Sequence, residues 1–211
     1  MRLSLIYLGY VLLLLNFILY ARYFLRNQRV YKIFTVYLFL TICVQLAAHL
    51  CRKFYGNNLF LSHFYFVGQF ILLSVFYLGL VKEKFQIKFI SIGLVLVLGT
   101  LAIQYAMKPA LFLKFNLYEI FITSFLLIIY ATFHFYNMLD ENKQFYYINM
   151  GILMYLFGST ILFLVGNLTT KLSDNFNMIT WILNAFLIIV YQLFILYEWK
   201  VSFYKRKVIS I

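Results

Sequence analysis

Charged side chains are scarce in this sequence. Only 11% of its 211 residues are Asp, Glu, Lys or Arg, whereas 65% are hydrophobic and the mean hydropathy is +0.91. In soluble domains about a quarter of the residues are charged. The composition therefore excludes a soluble globular protein and indicates an integral membrane protein.

Proline and cysteine are almost absent. The one proline, Pro109, falls in a predicted loop, so we expect no helix to be broken by proline. The two cysteines, Cys43 and Cys51, are eight positions apart on a predicted helix. Eight helical residues span about 12 Å, which exceeds the roughly 4.4 to 6.8 Å between the Cα atoms of a disulfide. We expect free thiols.

Long apolar segments make up most of the chain. They recur seven times, and about 20 helical residues cross a hydrocarbon core of about 30 Å. The sequence predicts an all-α, polytopic bundle of seven transmembrane helices forming a single domain over residues 1–211. The predicted helices cover about 3–23, 31–50, 58–81, 88–106, 115–137, 145–166 and 176–199. The first run resembles a signal peptide but lacks a small-x-small cleavage site, so we interpret it as a helix.

Positive charge is unequally distributed between alternate loops. With the N-terminus outside, the cytoplasmic segments hold 12 Lys and Arg residues and the outer segments hold 6. Because an excess of positive charge stays in the cytoplasm, the count predicts an outer N-terminus, a cytoplasmic C-terminus and a multi-pass protein of the cell inner membrane. The net charge of +12 then reflects topology and attraction to anionic lipid headgroups, without nucleic-acid binding.

A weak internal repeat is visible between the two halves of the chain. Residues 73–84 can be aligned with residues 189–200. Such a repeat allows a 3+1+3 arrangement, with helices one to three and five to seven as parallel triads around helix four.

The third apolar segment, Asn57 to Val81, carries polar residues on two adjoining helical faces. One face holds Ser62 and Gln69, and the other holds His63 and Ser74. A helix that is polar on two faces is unsuited to lipid contact. We therefore expect it to lie among the other helices.

Polar residues of several predicted helices fall in the outer half of the bundle, where they predict a polar cup. The candidate ligand-binding residues are Gln45, His49, His63, Gln69, Glu119 and Asn184. An ionised carboxylate within the membrane costs about 2.5 to 3.5 kcal/mol, so Glu119 needs a partner, a proton or water.

Three interpretations of the cup remain open. It can bind a ligand, its groups can hydrogen-bond neighbouring helices, or His49, His63 and Glu119 can form a two-histidine, one-carboxylate metal site. We assign Asn16 and His134 to packing or to the membrane interface.

The amino-acid sequences of three segments resemble those of a known group of proteins. LFLSHFYFVGQFILLSVFYL, FNLYEIFITSFLLI and ITWILNAFLIIVYQLFILYEWK are similar to segments of uncharacterised seven-helix membrane proteins of flavobacteria and other Bacteroidetes. The resemblance implies a seven-helix membrane fold, and that group has no assigned activity to transfer. The topology is also similar to that of microbial rhodopsins, but the seventh segment has no lysine for retinal.

No complete catalytic or cofactor motif occurs in the chain. We therefore expect no bound cofactor and favour a non-enzymatic ligand-binding, sensing or accessory protein. Its loops are short, so a signal must pass through the helix ends to a membrane-associated protein partner. The alternatives are a small-solute transporter and a metal-dependent intramembrane hydrolase.

Overall fold

The computed structural model of the chain describes residues 2–55, 58–139, 143–169 and 174–204. Its helices are α1 (Arg2–Ala21), α2 (Arg29–Tyr55), α3 (Phe60–Leu78), α4 (Lys84–Met107), α5 (Leu117–Asn137), α6 (Tyr146–Thr169) and α7 (Asp174–Trp199). A short 3₁₀ helix, Pro109–Leu113, lies between α4 and α5, and a π-helical turn, Lys200–Tyr204, follows α7.

The seven α-helices of the described residues are each long and apolar enough to cross a membrane, with mean hydropathies of 1.6 to 2.2. The chain is therefore a multi-pass membrane protein with an all-α, seven-helix fold, and both predictions are confirmed. Pro109 begins the 3₁₀ helix and interrupts none of the seven, and both cysteines are free thiols.

The helix bounds differ from the predicted ones mainly at charged ends. Helix α2 has 27 residues, which rise about 40 Å, and it includes Arg29, Arg52 and Lys53 beyond its apolar centre. Lys and Arg bury their aliphatic stems while their charged heads reach water, so a helix can continue past the hydrocarbon core.

The chain divides into two compact units. We call residues 1–23 and 134–211 the terminal unit and residues 24–133 the central unit. This grouping differs from the triads of the 3+1+3 arrangement, because α1 falls in the same unit as α6 and α7, whereas α2 and α3 fall in the other unit. Within the terminal unit, α1 packs against α7.

Two polar contacts explain why α1 belongs to the terminal unit. The amide of Asn16 donates to the backbone carbonyl of Gln192 and to its Oε1, each at 2.9 Å, and the hydroxyl of Tyr20 donates to the carbonyl of Ile195 at 3.2 Å. Asn16 and Tyr20 are fully buried. These hydrogen bonds align α1 with the second half of α7.

Close packing of α6 on α7 depends on glycine. A Cβ at Gly151 would lie 2.9 Å from Cβ of Phe194, and one at Gly158 would lie 2.6 Å from a methyl carbon of Leu187. Gly151 and Gly158, seven positions apart, therefore form a stripe of small residues that allows the close approach of the two helices.

In the central unit, α3 packs against both α2 and α4. In α3, 44% of the membrane-spanning window is buried. Among the described spans, only α5 has an equal buried fraction. The amide of Gln69 on α3 donates to the hydroxyl oxygens of Tyr37 on α2, at 3.2 Å, and Tyr65, at 3.5 Å. The expectation that this helix is shielded by its neighbours is confirmed.

The sequence also predicts a turn at Gly56 and Asn57 and a basic anchor at Lys205 to Lys207, and both lie outside the described residues. The orientation of the chain stays a prediction.

Candidate ligand-binding site

Three helix ends of the central unit meet at a buried polar cluster. His63 is in the first turn of α3, Tyr105 in the last turn of α4 and Glu119 in the first turn of α5. Successive membrane helices alternate in direction, so the start of α3, the end of α4 and the start of α5 lie at the same membrane face. We call His63, Tyr105, Asn116 and Glu119 the polar cluster.

The hydrogen bonds of the cluster converge on one carboxylate oxygen. His63 Nδ1 lies 2.9 Å from Glu119 Oε2, and the Tyr105 hydroxyl donates to the same oxygen. The Tyr105 oxygen also lies 2.9 Å from His63 Nδ1. The side chain of His63 is 4% exposed and that of Glu119 is 0% exposed, so the contact between them is shielded from water.

Asn116 connects α5 to α4. Its Oδ1 accepts the backbone N–H of Glu119 at 3.4 Å, which is the N-cap interaction that Asn favours at the start of a helix. Its Nδ2 donates to the Tyr105 oxygen and to Gln104 Oε1, each at 3.0 Å. The buried side-chain amide of Asn116 thus caps the N-terminus of α5 and also positions Tyr105.

With Glu119 ionised, these contacts assign the tautomer of His63. The Tyr105 hydroxyl has a single hydrogen, which it donates to Glu119, and its oxygen accepts from Asn116. Both partners of His63 Nδ1 are therefore acceptors, so Nδ1 carries the hydrogen. In the neutral imidazole, Nε2 is then a hydrogen-bond acceptor.

Two buried atoms of the cluster lack a hydrogen-bond partner among the described residues. They are His63 Nε2 and Glu119 Oε1. A buried polar atom without a partner costs about 1 to 3 kcal/mol, and more when it is charged. Both atoms accept hydrogen bonds in the assigned tautomer, so a donor group beside them would remove this cost.

Aromatic rings cover the cluster. The ring of Phe112, on the 3₁₀ helix, stacks on His63 with centroids 5.3 Å apart and planes inclined by 26°. It also meets the rings of Tyr105 and Phe64 edge to face, each at 6.0 Å. Phe112 is 37% exposed, so it lies between the cluster and the surroundings.

The cluster contains two of the six predicted ligand-binding residues, His63 and Glu119. Gln69 lies farther along α3 and bonds to Tyr37 and Tyr65. His49 is exposed near the end of α2 and Gln45 is half-buried, and neither takes part in the hydrogen bonds described for the cluster. Asn184 is buried in the terminal unit.

In the part of the chain that the structure describes, there is no group of three or more His, Cys, Asp or Glu side chains that could hold a metal ion. The metal-site interpretation of His49, His63 and Glu119 therefore gains no support. Asn16 and His134 make helix contacts, as expected: His134 Nε2 lies 2.9 Å from the carbonyl oxygen of Gln144.

Sequence reasoning did not select Tyr105, Asn116 or Phe112. A signal for Asn116 exists, because Asn followed three residues later by Glu at the start of an apolar run is typical of a helix N-terminus. Tyr105 is one of 19 tyrosines and Phe112 one of 25 phenylalanines, so residue type did not distinguish them.

Comparisons with protein-family models, curated proteins and solved structures give no match to this chain. The resemblance to seven-helix proteins of Bacteroidetes stays a prediction. Any function must therefore be inferred from the site itself.

Proposed function

We propose that this membrane protein binds a small cationic solute, with a protonated amine as the preferred class, and that it acts as a sensing or accessory protein. The observation that carries the proposal is the pair of buried, unpartnered acceptor atoms, His63 Nε2 and Glu119 Oε1. An ammonium group has several N–H donors and a positive charge. It would supply donors to both atoms and balance the carboxylate.

The surrounding rings suit the same ligand class. Cations are attracted to aromatic faces within about 6 Å, and the faces of Tyr105 and Phe112 belong to this site. Phe112 stacks on His63, so a ligand enters only if the 3₁₀ helix moves this ring aside. Such a movement would give binding an effect on the ends of α4 and α5, which is a route for a signal.

The setting of the site follows from the proposed topology. With the N-terminus outside, the polar cluster faces the outer side of the inner membrane. The signal would then pass along the helices to a cytoplasmic or membrane-associated partner protein.

Thermal unfolding in lipid nanodiscs tests the proposal. Small primary amines, neutral polyols and carboxylates are added singly, since a ligand at about a hundred-fold excess over its Kd stabilises the folded state by about 2.7 kcal/mol. We expect amines to raise Tm and carboxylates to leave it unchanged. If no amine raises Tm, the unpartnered atoms have only a structural role.

Two variants localise the effect. Glu119→Gln keeps the shape but places an amide donor where Oε1 accepts, so it should abolish the rise in Tm. Glu198→Gln is the matched control, because Glu198 is a second buried carboxylate, 2% exposed, outside the polar cluster. It should lower the Tm of the free protein yet leave the amine effect intact.

A proton-coupled carrier is the second candidate. It is favoured by the direct contact of two buried titratable side chains, His63 and Glu119, because such pairs within membranes mark proton pathways. Uptake of a labelled amine into proteoliposomes that requires a pH gradient would support the carrier. Binding without flux would support the sensor.

A further inference from the structure

A groove of about 830 Å³ runs along the second half of α7 in the terminal unit. Its apolar part is formed by Val190, Leu193, Phe194 and Leu196. The volume lies within the range of about 300 to 1,000 Å³ that is typical of small-molecule sites.

The chemistry of the lining changes along the helix axis. Beyond the apolar residues, Tyr147, Tyr197 and Trp199 line the groove, and the exposed Lys200 lies at its end. From Val190 to Lys200 the helix rises about 15 Å, which is half of the hydrocarbon core of about 30 Å. This apolar, aromatic and cationic order matches the acyl chain, glycerol region and headgroup of a lipid in one leaflet.

The wall of the groove is fixed by contacts between α6 and α7. Glu198 accepts the backbone N–H of Tyr147 at 2.8 Å and the hydroxyl hydrogen of Ser202. The rings of Tyr147 and Tyr197 meet edge to face at 4.5 Å. The charge of Glu198 therefore lies at the positive N-terminal end of α6.

Lys200 is the charged residue of the groove lining, and its side chain is exposed. It borders the apolar groove through its aliphatic stem, while a lysine head in this position reaches the headgroup layer. Lys143 precedes α6 by three residues, with Nζ 5.6 Å from the ring centroid of Tyr146. The indole N–H of Trp199 is buried without a hydrogen-bond partner among the described residues, so it can donate to a phosphate or ester oxygen only if the ring turns toward the groove.

We propose that this groove binds one anionic phospholipid, with an acyl chain along α7 and its phosphate at Lys200. A second copy of the chain is disfavoured as the occupant, because all copies have the same orientation in the membrane. A second copy would bring its own Lys200 to the same depth in the membrane, and like charges placed side by side repel each other. An anionic lipid supplies the opposite charge there.

Fluorescence quenching by brominated lipids tests the proposal. The chain has two tryptophans, so Trp181→Phe leaves Trp199 in the groove as the reporter. The variant is placed in phosphatidylcholine vesicles that contain either dibrominated phosphatidylglycerol or dibrominated phosphatidylcholine. We expect the anionic quencher to act at about a five-fold lower mole fraction, since one Lys contributes about that factor in affinity for an anionic surface.

Three controls separate a site from a general surface effect. Lys200→Gln in the Trp181→Phe background should remove the preference for the anionic lipid. Lys84→Gln, which removes an exposed lysine outside the groove, should preserve it. Trp199→Phe leaves Trp181 as the reporter, and this residue should show no preference.

Equal quenching of Trp199 by both lipids would overturn the proposal, as would loss of the preference in both lysine variants. Native mass spectrometry of the wild-type chain gives an independent readout. One retained phosphatidylglycerol per chain, released by Lys200→Gln, is the expected result. Equal retention of the two lipids would contradict it.

Discussion

Nδ2 of Asn116 lies 3.0 Å from the hydroxyl oxygen of Tyr105, so the residue that caps α5 also holds a site residue at the end of α4. The same side chain accepts the N–H of Glu119 at 3.4 Å. The stability of α5 and the geometry of the polar cluster therefore depend on one amide. Substitutions that preserve one role and remove the other can separate them.

Asn116→Ala removes both roles. It should destabilise the protein by at least about 1 kcal/mol, the usual cost of losing an N-cap, and should weaken amine binding. Asn116→Ser keeps a capping oxygen but is too short to reach Tyr105, so it should recover most of the Tm without recovering binding. Recovery of both properties in Asn116→Ser would show that the contact with Tyr105 is unimportant.

Phe112→Ala should expose His63. Diethyl pyrocarbonate modifies accessible imidazoles, and labelling is measured by mass spectrometry. We expect labelling of His63 to rise several-fold relative to His49, which is exposed and serves as the internal reference. Phe121→Ala, which removes an exposed ring from α5 outside the site, should have no such effect. An unchanged rate in Phe112→Ala would mean that this ring does not control access.

Two glycines of α4 form a matched pair for testing the packing of α4 on α5. A Cβ at Gly93 would meet the hydroxyl of Tyr130, which is fully buried, and would lie 3.3 Å from a methyl carbon of Leu126. Gly93→Ala should therefore lower Tm. A Cβ at Gly99 has open space, so Gly99→Ala should be neutral or stabilising by up to about 1 kcal/mol. Equal effects of the two substitutions would contradict this packing.

The orientation prediction rests on the 12 to 6 distribution of Lys and Arg. Reporter enzymes fused after Lys207 should behave as cytoplasmic, and reporters inserted at Gly56 should behave as external. A periplasmic signal from the fusion after Lys207 would reverse the proposed side of the polar cluster.

Hydrophobic content was enough to predict the seven helices, because only apolar helices of about 20 residues satisfy both the backbone and the lipid. It did not predict helix neighbours. Asn16 and Gln192 are 176 positions apart, and pairing them requires knowledge of which helices touch. The weak repeat therefore indicated triads that differ from the compact units.

The sequence predicted only part of the candidate site, because it does not show which helices touch. His63 and Glu119 were selected because polar groups are costly in a membrane. His49 met that criterion too, but helix periodicity does not show that its side chain is exposed at the end of α2. Tyr105 reaches the site because α4 packs against α3, and Phe112 reaches it because the 3₁₀ helix also contacts α3.

The central claim is that a cationic ligand donates hydrogen bonds to His63 Nε2 and Glu119 Oε1. The chain has three histidines, so nitrogen-15 NMR of histidine-labelled protein, with His49→Gln and His134→Gln for assignment, resolves the His63 ring directly. An amine that raises Tm should shift the Nε2 signal of His63 while Nδ1 keeps its hydrogen, and Glu119→Gln should abolish the shift. Stabilisation by the amine without any change at His63 would contradict the account.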